Sequence, residues 1–132
     1  MHSYSPSEEH LDSILAARQR GDIATLLSHL APGATYRLAV SPRVFPPFGE
    51  GPVDAREAVA GLADQFQFDQ VERLSTLIQG NVAMIQWRVS ASVRGGEPAE
   101  SELLDIWRFD ASGKIESIVE FADTALMLQM LD

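Results

Sequence analysis

Two carboxylic acids lie within the most apolar part of the sequence, between residues 101 and 132, and they are the clearest candidates for chemistry. Asp105 and Glu120 each have large apolar neighbours on one or both sides. An acid in such a position is seldom buried unless it is paired or functional. Burial raises the pKa of a carboxyl group and suits it to general acid or base catalysis. We therefore predict that both acids face one cavity and that Asp105 titrates above its ordinary range.

Three further residues are candidates for the same site. Arg88 lies in a strand-like run and could neutralise one acid or hold a ligand carboxylate. Tyr36 could offer its hydroxyl to a ligand or could be an ordinary core tyrosine. Trp107 shares a strand face with Asp105, because residues two apart project to the same side. The alternative for Asp105 is a structural carboxylate paired with Arg88 or a hydroxyl, and for Glu120 a carboxylate at a solvated rim.

A strand–turn–strand unit must position the two acids. The turn is supplied by residues 110–113, where Gly113 can adopt a positive φ. Alternating apolar residues predict the strands, and capping residues followed by apolar stripes predict the helices. The predicted elements are helices over 6–20, 22–30 and 54–65, strands over 35–40, 68–79, 82–94, 100–109 and 115–122, and a closing helix. This order predicts an α+β fold, with helices on one face of a curved sheet and a cone-shaped cavity between them.

The segment 41–53 is predicted to be an irregular loop. It contains four prolines and two glycines, yet it also carries Phe45 and Phe48, which are costly to leave in water. One interpretation is a loop packed on the body of the protein. The other is a lid over the cavity or part of a partner interface, in which case Phe45 and Phe48 would contact the substrate.

Composition limits the classes of protein and partner. The 132 residues, 45% of them hydrophobic, predict one domain over 1–132. A formal charge of −9 repels phosphate backbones, so nucleic-acid binding is not expected. The sequence has no cysteine, no membrane-length apolar run and no signal-peptide pattern, so we expect a cytoplasmic protein without membrane contact. No cofactor or metal is expected either, since phosphate-loop, dinucleotide-binding and metal-ligand patterns are lacking.

Three runs of sequence resemble a known superfamily: LDSILAARQRGD at 11–22, GPVDAREAV at 51–59 and DIWRFDASGKIESIVEFAD at 105–123. They resemble the nuclear-transport-factor-2-like superfamily, and within it the SnoaL-like proteins. Ketosteroid isomerase and limonene-epoxide hydrolase are more distantly similar. The resemblance implies a cone-shaped, curved antiparallel sheet with N-terminal helices packed on its concave face.

The resemblance also implies roles for single residues. Asp105 matches the strand that supplies a protonated oxyanion-hole aspartate in ketosteroid isomerase, while the tyrosine of that enzyme falls on Ile14. Glu120 lies where SnoaL-type cyclases and the epoxide hydrolase place an aspartate. Arg88 matches an arginine of the hydrolase, and Ser90 replaces the aspartate that accompanies it.

The predicted function is a pocket for a small hydrophobic molecule. It would be an acid/base enzyme of the isomerase, cyclase or hydratase type, acting on a cyclic or polyketide-like substrate. In that enzyme, Glu120 moves the proton and Asp105 donates a hydrogen bond to a developing oxyanion. Arg88 controls the charge states of these two acids. The alternatives are a non-catalytic binding module and a dimeric scaffold of the same fold.

A homodimer is predicted through the outer face of the sheet. One face of the strand over 82–94 carries a row of apolar residues: Ile85, Trp87, Val89, Ala91 and Val93. If Arg88 faces the cavity, this row must face away from the helices and be joined there by Leu104 and Ile106. An exposed apolar patch of that size favours a two-fold partner.

Overall fold

The computed structural model describes residues 4–39 and 51–131, and these residues form four helices and six strands. In chain order the elements are α1 (Glu8–Arg20), α2 (Ile23–Ser28), β1 (Leu30–Leu38), β2 (Val53–Asp54), α3 (Ala55–Gln65), β3 (Phe66–Gln79), β4 (Val82–Val93), β5 (Ala99–Phe109), β6 (Ile115–Phe121) and α4 (Thr124–Leu131).

The helices begin at capping residues, as the sequence predicts. The Ser7 side chain accepts a hydrogen bond from the backbone N–H of His10, so Ser7 caps α1 and the helix begins at Glu8, two residues later than predicted. Asp54 caps α3 by accepting from the N–H of Arg56. These caps satisfy backbone donors that have no partner within the helix.

The six strands form one curved, open sheet in the order β2-β1-β6-β5-β4-β3. Every neighbouring pair is antiparallel except β1 and β6, which run parallel. This arrangement confirms the predicted α+β class. It also makes β5 and β6, which carry the two candidate acids, neighbours near the middle of the sheet.

Strand β1 begins earlier than predicted. We expected Pro32 and Gly33 to turn the chain before a strand at Thr35, but pairing with β6 already starts at Leu30. The register shifts between Leu30 and Thr35, and Gly33 adopts a φ of 76°. The two residues therefore form an irregularity inside the strand, where glycine tolerates the left-handed backbone.

Strand β4 buries its apolar row against the helices, so the prediction that this row faces outward is wrong. Ile85, Trp87 and Val89 are buried in the core. Their cross-strand pairing explains the face: Ile85 lies opposite Asp105 and therefore shares its side of the sheet. The intervening residues of β4, including Arg88, project to the outer face.

The outer face nevertheless carries apolar residues of its own. Leu77 pairs with Met84, Met84 with Ile106, and Ile106 with Val119, across four adjacent strands. Leu77 is 71% exposed and Met84 37% exposed. We call these four residues the outer apolar row. Among the described residues, no helix is long and apolar enough to cross a membrane.

Candidate functional site

Asp105 and Glu120 lie directly opposite each other on β5 and β6. Both line an apolar cavity of about 130 Å³ between the concave face of the sheet and helices α1, α3 and α4. Asp105 is 2% exposed, and Glu120 is half-buried. The cross-strand pairing therefore brings the two acids together in one cavity, which is the arrangement expected from their positions.

The environment of Asp105 favours its protonated form. Burial raises the pKa of this carboxyl well above its ordinary value, and the negative charge of Glu120 and a hydrogen bond between the two side chains raise it further. The indole N–H groups of Trp107 and Trp87 lie close enough to oppose this rise in pKa. Within the described part of the chain, neither Trp87 Nε1 nor Asp105 Oδ1 makes a hydrogen bond of standard geometry, and burial is the largest cause of the rise in pKa.

Glu120 is held by Tyr36 on β1. The Tyr36 hydroxyl donates a hydrogen bond of 2.7 Å to Glu120 Oε1. Tyr36 is 2% exposed, and burial, followed by the charge of Glu120, raises the pKa of its hydroxyl. Tyr36 therefore remains a neutral donor, which orients the Glu120 carboxylate within the cavity.

A buried arginine that was not among the predicted site residues completes the charged part of the site. Arg18, on α1, is 9% exposed, and its Nη2 donates to the carbonyl oxygens of Phe66 (2.7 Å) and Leu62 (3.2 Å). Its Cζ lies 3.7 Å from the centroid of the Phe68 ring. Burial lowers the pKa of Arg18 to about 10, while the charges of Glu120 and Asp105 act in the opposite direction. Arg18 thus remains a cation at neutral pH.

Arg88 lies on the other side of the sheet, so the prediction that it converges with the acids is wrong. Its guanidinium contacts Glu72 at 3.1 Å, Glu102 at 3.7 Å and Glu100 at 3.9 Å, all at exposed positions. Since β4 buries its apolar residues, the polar residues between them must face solvent. Trp87, which was assigned to the outer face, instead lines the cavity.

The remaining predicted residues divide into two groups. Trp107 lines the cavity and is 4% exposed. Phe45, Phe48 and most of the predicted 41–53 loop lie outside the described residues, so the lid remains a prediction. Over 4–39 and 51–131, no group of three or more His, Asp or Glu side chains is placed to share a metal ion.

The chain can be assigned to a family by comparison with known proteins. Residues 11–118 match the SnoaL-like domain. The chain belongs to the SnoaL-like family. No curated protein matches the sequence significantly.

Solved structures show where this SnoaL-like fold lies among known folds. A Bacillus subtilis protein provisionally assigned as an isomerase superposes with a TM-score of 0.77 at 9% identity, covering 93% of this chain and 90% of its own. An NTF2-like protein from Burkholderia thailandensis E264 gives 0.69 at 23% identity, with 92% and 94% covered. An LEH-like epoxide hydrolase of M. tuberculosis gives 0.67 at 14% identity, with 92% and 86% covered. These likenesses establish the NTF2-like fold, which hosts several unrelated chemistries.

One signal in the sequence could have identified Arg18. It occupies the fourth position of the stripe Leu11, Ile14, Leu15 and Arg18, whose spacing puts all four on one face of α1. An arginine on the core face of an amphipathic helix is a candidate for a buried, functional cation.

Proposed function

We propose that this SnoaL-like protein binds a small hydrophobic molecule in the cavity and transfers a proton on it. The observation that supports this most directly is the Asp105–Glu120 pair, in which two carboxyls lie opposite each other in an apolar cavity and burial favours the protonated form of Asp105. Neighbouring carboxyls whose environments separate their protonation states can serve as acid and base in one reaction. The substrate class suggested by the family resemblance is a cyclic or polyketide-like compound.

Proton transfer next to a carbonyl group is the first candidate reaction. Glu120 takes a proton from the carbon beside the carbonyl, and the electrons of that C–H bond form an enolate. Protonated Asp105 donates a hydrogen bond to the enolate oxygen, which stabilises the charge where it develops. Return of the proton from Glu120 to another carbon completes an isomerisation. Alternatively, the enolate attacks a second carbonyl, and the oxygen of that carbonyl takes the proton held by Glu120, which completes an aldol cyclisation.

Hydration of an epoxide is the second candidate, and the same pair of carboxyls supports it. Glu120 accepts a proton from water as the water oxygen attacks an epoxide carbon. The C–O bond breaks, and Asp105 gives its proton to the leaving oxygen, so that a diol forms. The proton now on Glu120 then returns to Asp105 through the hydrogen bond between the two side chains. The LEH-like epoxide hydrolase shares the fold, and this reaction comes to the present chain only by analogy.

The test uses one small probe for each reaction. 3-Cyclohexenone reports proton transfer through its conversion to the conjugated enone, and deuterium incorporation from D2O reports enolate formation even without isomerisation. Cyclohexene oxide reports hydration through diol formation. We expect turnover of at least one probe, and Glu120→Gln should lower it by about 100-fold or more, because general acid–base catalysis contributes at least that much.

Glu116→Gln is the matched control for this experiment. Glu116 lies on the same strand as Glu120, but it is exposed and does not line the cavity. Its substitution should leave turnover unchanged. Equal loss of turnover in both variants would contradict a specific role for Glu120.

The alternative is a binding module without catalysis. Binding of these probes or their relatives in the cavity with no turnover, and with no effect of Glu120→Gln on any reaction, would favour this alternative. The two tryptophans of the chain, Trp87 and Trp107, both line the cavity, so their fluorescence reports binding independently of turnover.

A further inference from the structure

The guanidinium group of Arg18 is only partly used by the protein. Nη2 donates to two backbone carbonyls, but Nη1 is buried and has no hydrogen-bond partner among the described residues. Arg18 is 9% exposed and lines the cavity that holds Asp105 and Glu120. A buried cation with an unused donor is costly, because the lost hydration is not replaced.

Trp87 Nε1 is a second donor on the cavity wall, and it lies near Asp105. Trp87 Nε1 is buried without a hydrogen bond of standard geometry in the described part of the chain, and Trp87 is 3% exposed. Phe68 links the two residues: the Arg18 Cζ lies 3.7 Å from the centroid of its ring, and the Trp87 ring packs edge-on at 5.4 Å. Arg18 and Trp87 thus share one aromatic neighbour, and each brings to the cavity a buried N–H that makes no hydrogen bond of standard geometry within the described residues.

These two groups can donate hydrogen bonds but cannot accept them. They therefore select an oxygen acceptor, and the positive charge of Arg18 favours an anionic one. We propose that Arg18 anchors a carboxylate of the ligand, with Trp87 Nε1 as a second donor, so that the molecule bound is a small apolar acid. This inference rests on the proposed ligand-binding function of the cavity and specifies its substrate class.

The other charges of the cavity are compatible with an anionic ligand. Burial raises the pKa of Asp105 and so favours its neutral form, and the Glu120 carboxyl already accepts from Tyr36. A ligand carboxylate in this cavity therefore encounters the positive charge of Arg18 and the carboxyl of Glu120, which is already hydrogen-bonded to Tyr36. The cavity volume of about 130 Å³ is similar to the roughly 150 Å³ of an engineered apolar cavity that binds benzene. A six-membered ring with a short acidic side chain has a suitable size.

Phenylacetate and phenylacetamide form a matched pair of probes, since they share a shape and differ in charge. Binding is measured by the fluorescence of Trp87 and Trp107. We expect phenylacetate to bind at least about tenfold more tightly, as hydrogen bonds to charged groups typically contribute that much. Equal affinity for the two probes would overturn the role of Arg18 and leave the cavity as a binding site. Failure of both probes to bind would instead count against the ligand-binding function itself.

Three variants test which side chains cause the preference for phenylacetate over phenylacetamide. Arg18→Gln should abolish the preference for phenylacetate over phenylacetamide, whereas Arg88→Gln should retain it, since Arg88 lies on the outer face. Trp87→Phe keeps an aromatic ring and removes the N–H, so it should weaken phenylacetate more than phenylacetamide. A preference that persists in Arg18→Gln would overturn the inference. If Arg18→Gln does not fold, the affinities of the two probes for the unchanged protein and for Trp87→Phe decide whether the cavity prefers an acid.

Discussion

Arg18 Nη2 donates a hydrogen bond of 2.7 Å to the carbonyl oxygen of Phe66, a residue 48 positions later in the chain. A second bond reaches the carbonyl oxygen of Leu62 in the last turn of α3. Carbonyls at the C-terminus of a helix have no partner within it, and the partial negative charge there favours a cation. Arg18 therefore joins α1 to the junction of α3 and β3, in addition to contributing to the cavity.

Replacing Arg18 should destabilise the fold. In Arg18→Met the carbonyl oxygens of Phe66 and Leu62 lose their bonds from Nη2, while Leu62 still accepts from the N–H of Phe66, so we expect the free energy of unfolding to fall by about 2 kcal/mol. Urea denaturation measures this change. Arg20→Met on the same helix is the control: Arg20 is exposed and forms a surface ion pair with Asp22, so the loss should stay below about 1 kcal/mol. Similar losses in the two variants would show that the bonds of Arg18 contribute little.

The raised pKa of Asp105 predicts how stability depends on pH. The folded chain keeps this proton at pH values where the unfolded chain has lost it. The contribution of Asp105 is therefore fully present below about pH 4, the unfolded-state value, and is lost as pH rises towards the folded-state pKa. Over that window the free energy of unfolding should fall by up to about 1.4 kcal/mol per pH unit. Asp105→Asn should remove this slope, which denaturation at a series of pH values would reveal.

Asp110 provides a control of opposite sign. Its pKa is lowered, first by the hydrogen bond from the Ser112 hydroxyl and then by backbone N–H groups of the turn. Its contribution to stability is therefore present above the unfolded-state pKa and is lost as pH falls. Asp110→Asn should thus weaken the pH dependence on the acid side and leave the slope assigned to Asp105. If Asp105→Asn leaves the slope intact, Asp105 is not the protonated group.

The bond between Tyr36 and Glu120 should be measurable as a coupling energy. Tyr36→Phe removes the 2.7 Å hydrogen bond and should lower the free energy of unfolding by about 1–2 kcal/mol. A double-mutant cycle with Glu120→Leu, which has no acceptor for the Tyr36 hydroxyl, isolates the pair from the other contacts of Tyr36. We expect a coupling above about 0.5 kcal/mol, and strictly additive effects would argue against an orienting role for Tyr36.

Homodimerisation through the outer face of the sheet remains a prediction, now based on different residues. The outer apolar row, with Leu77 71% and Met84 37% exposed, presents a continuous strip across four strands that a second copy could cover. Met84→Asp should split the dimer in light scattering and leave the melting temperature of the fold nearly unchanged. Trp87→Asp should instead unfold the chain, since Trp87 belongs to the core. A monomer at micromolar concentration in the unchanged protein would refute this prediction.

Much of the fold follows from local signals in the sequence. Helix caps, apolar stripes and turn residues predict α1, α3 and the hairpin strands closely, because each depends on residues near in sequence. The parallel pairing of β1 with β6 joins segments about 80 residues apart, and no local pattern specifies it. The start of β1 was also not predicted, because Pro32 and Gly33 are typical of turns but here form an irregularity within the strand, and such residues also occur in bulges.

The candidate site was predictable only in part. Asp105 and Glu120 could be identified because acids among apolar residues are conspicuous. Arg88 was assigned to the cavity by resemblance, whereas the alternation in β4 is better satisfied by burying Ile85, Trp87 and Val89. The alternation along a strand shows which residues share a face of the sheet, but not which face is covered by the helices. For β4, the family resemblance led to assignment of the wrong face to the cavity.

The cavity also has a mechanical consequence. The cavity of about 130 Å³ has apolar walls that hold water poorly, and the void this leaves is filled by water when the chain unfolds. Unfolding therefore reduces the volume of the system, and hydrostatic pressure should drive it. Compression acts most directly on the interface of α1, α3 and α4 with the concave side of the sheet, where the void lies. A molecule that fills the void removes much of this volume difference and thereby makes the folded chain resistant to pressure.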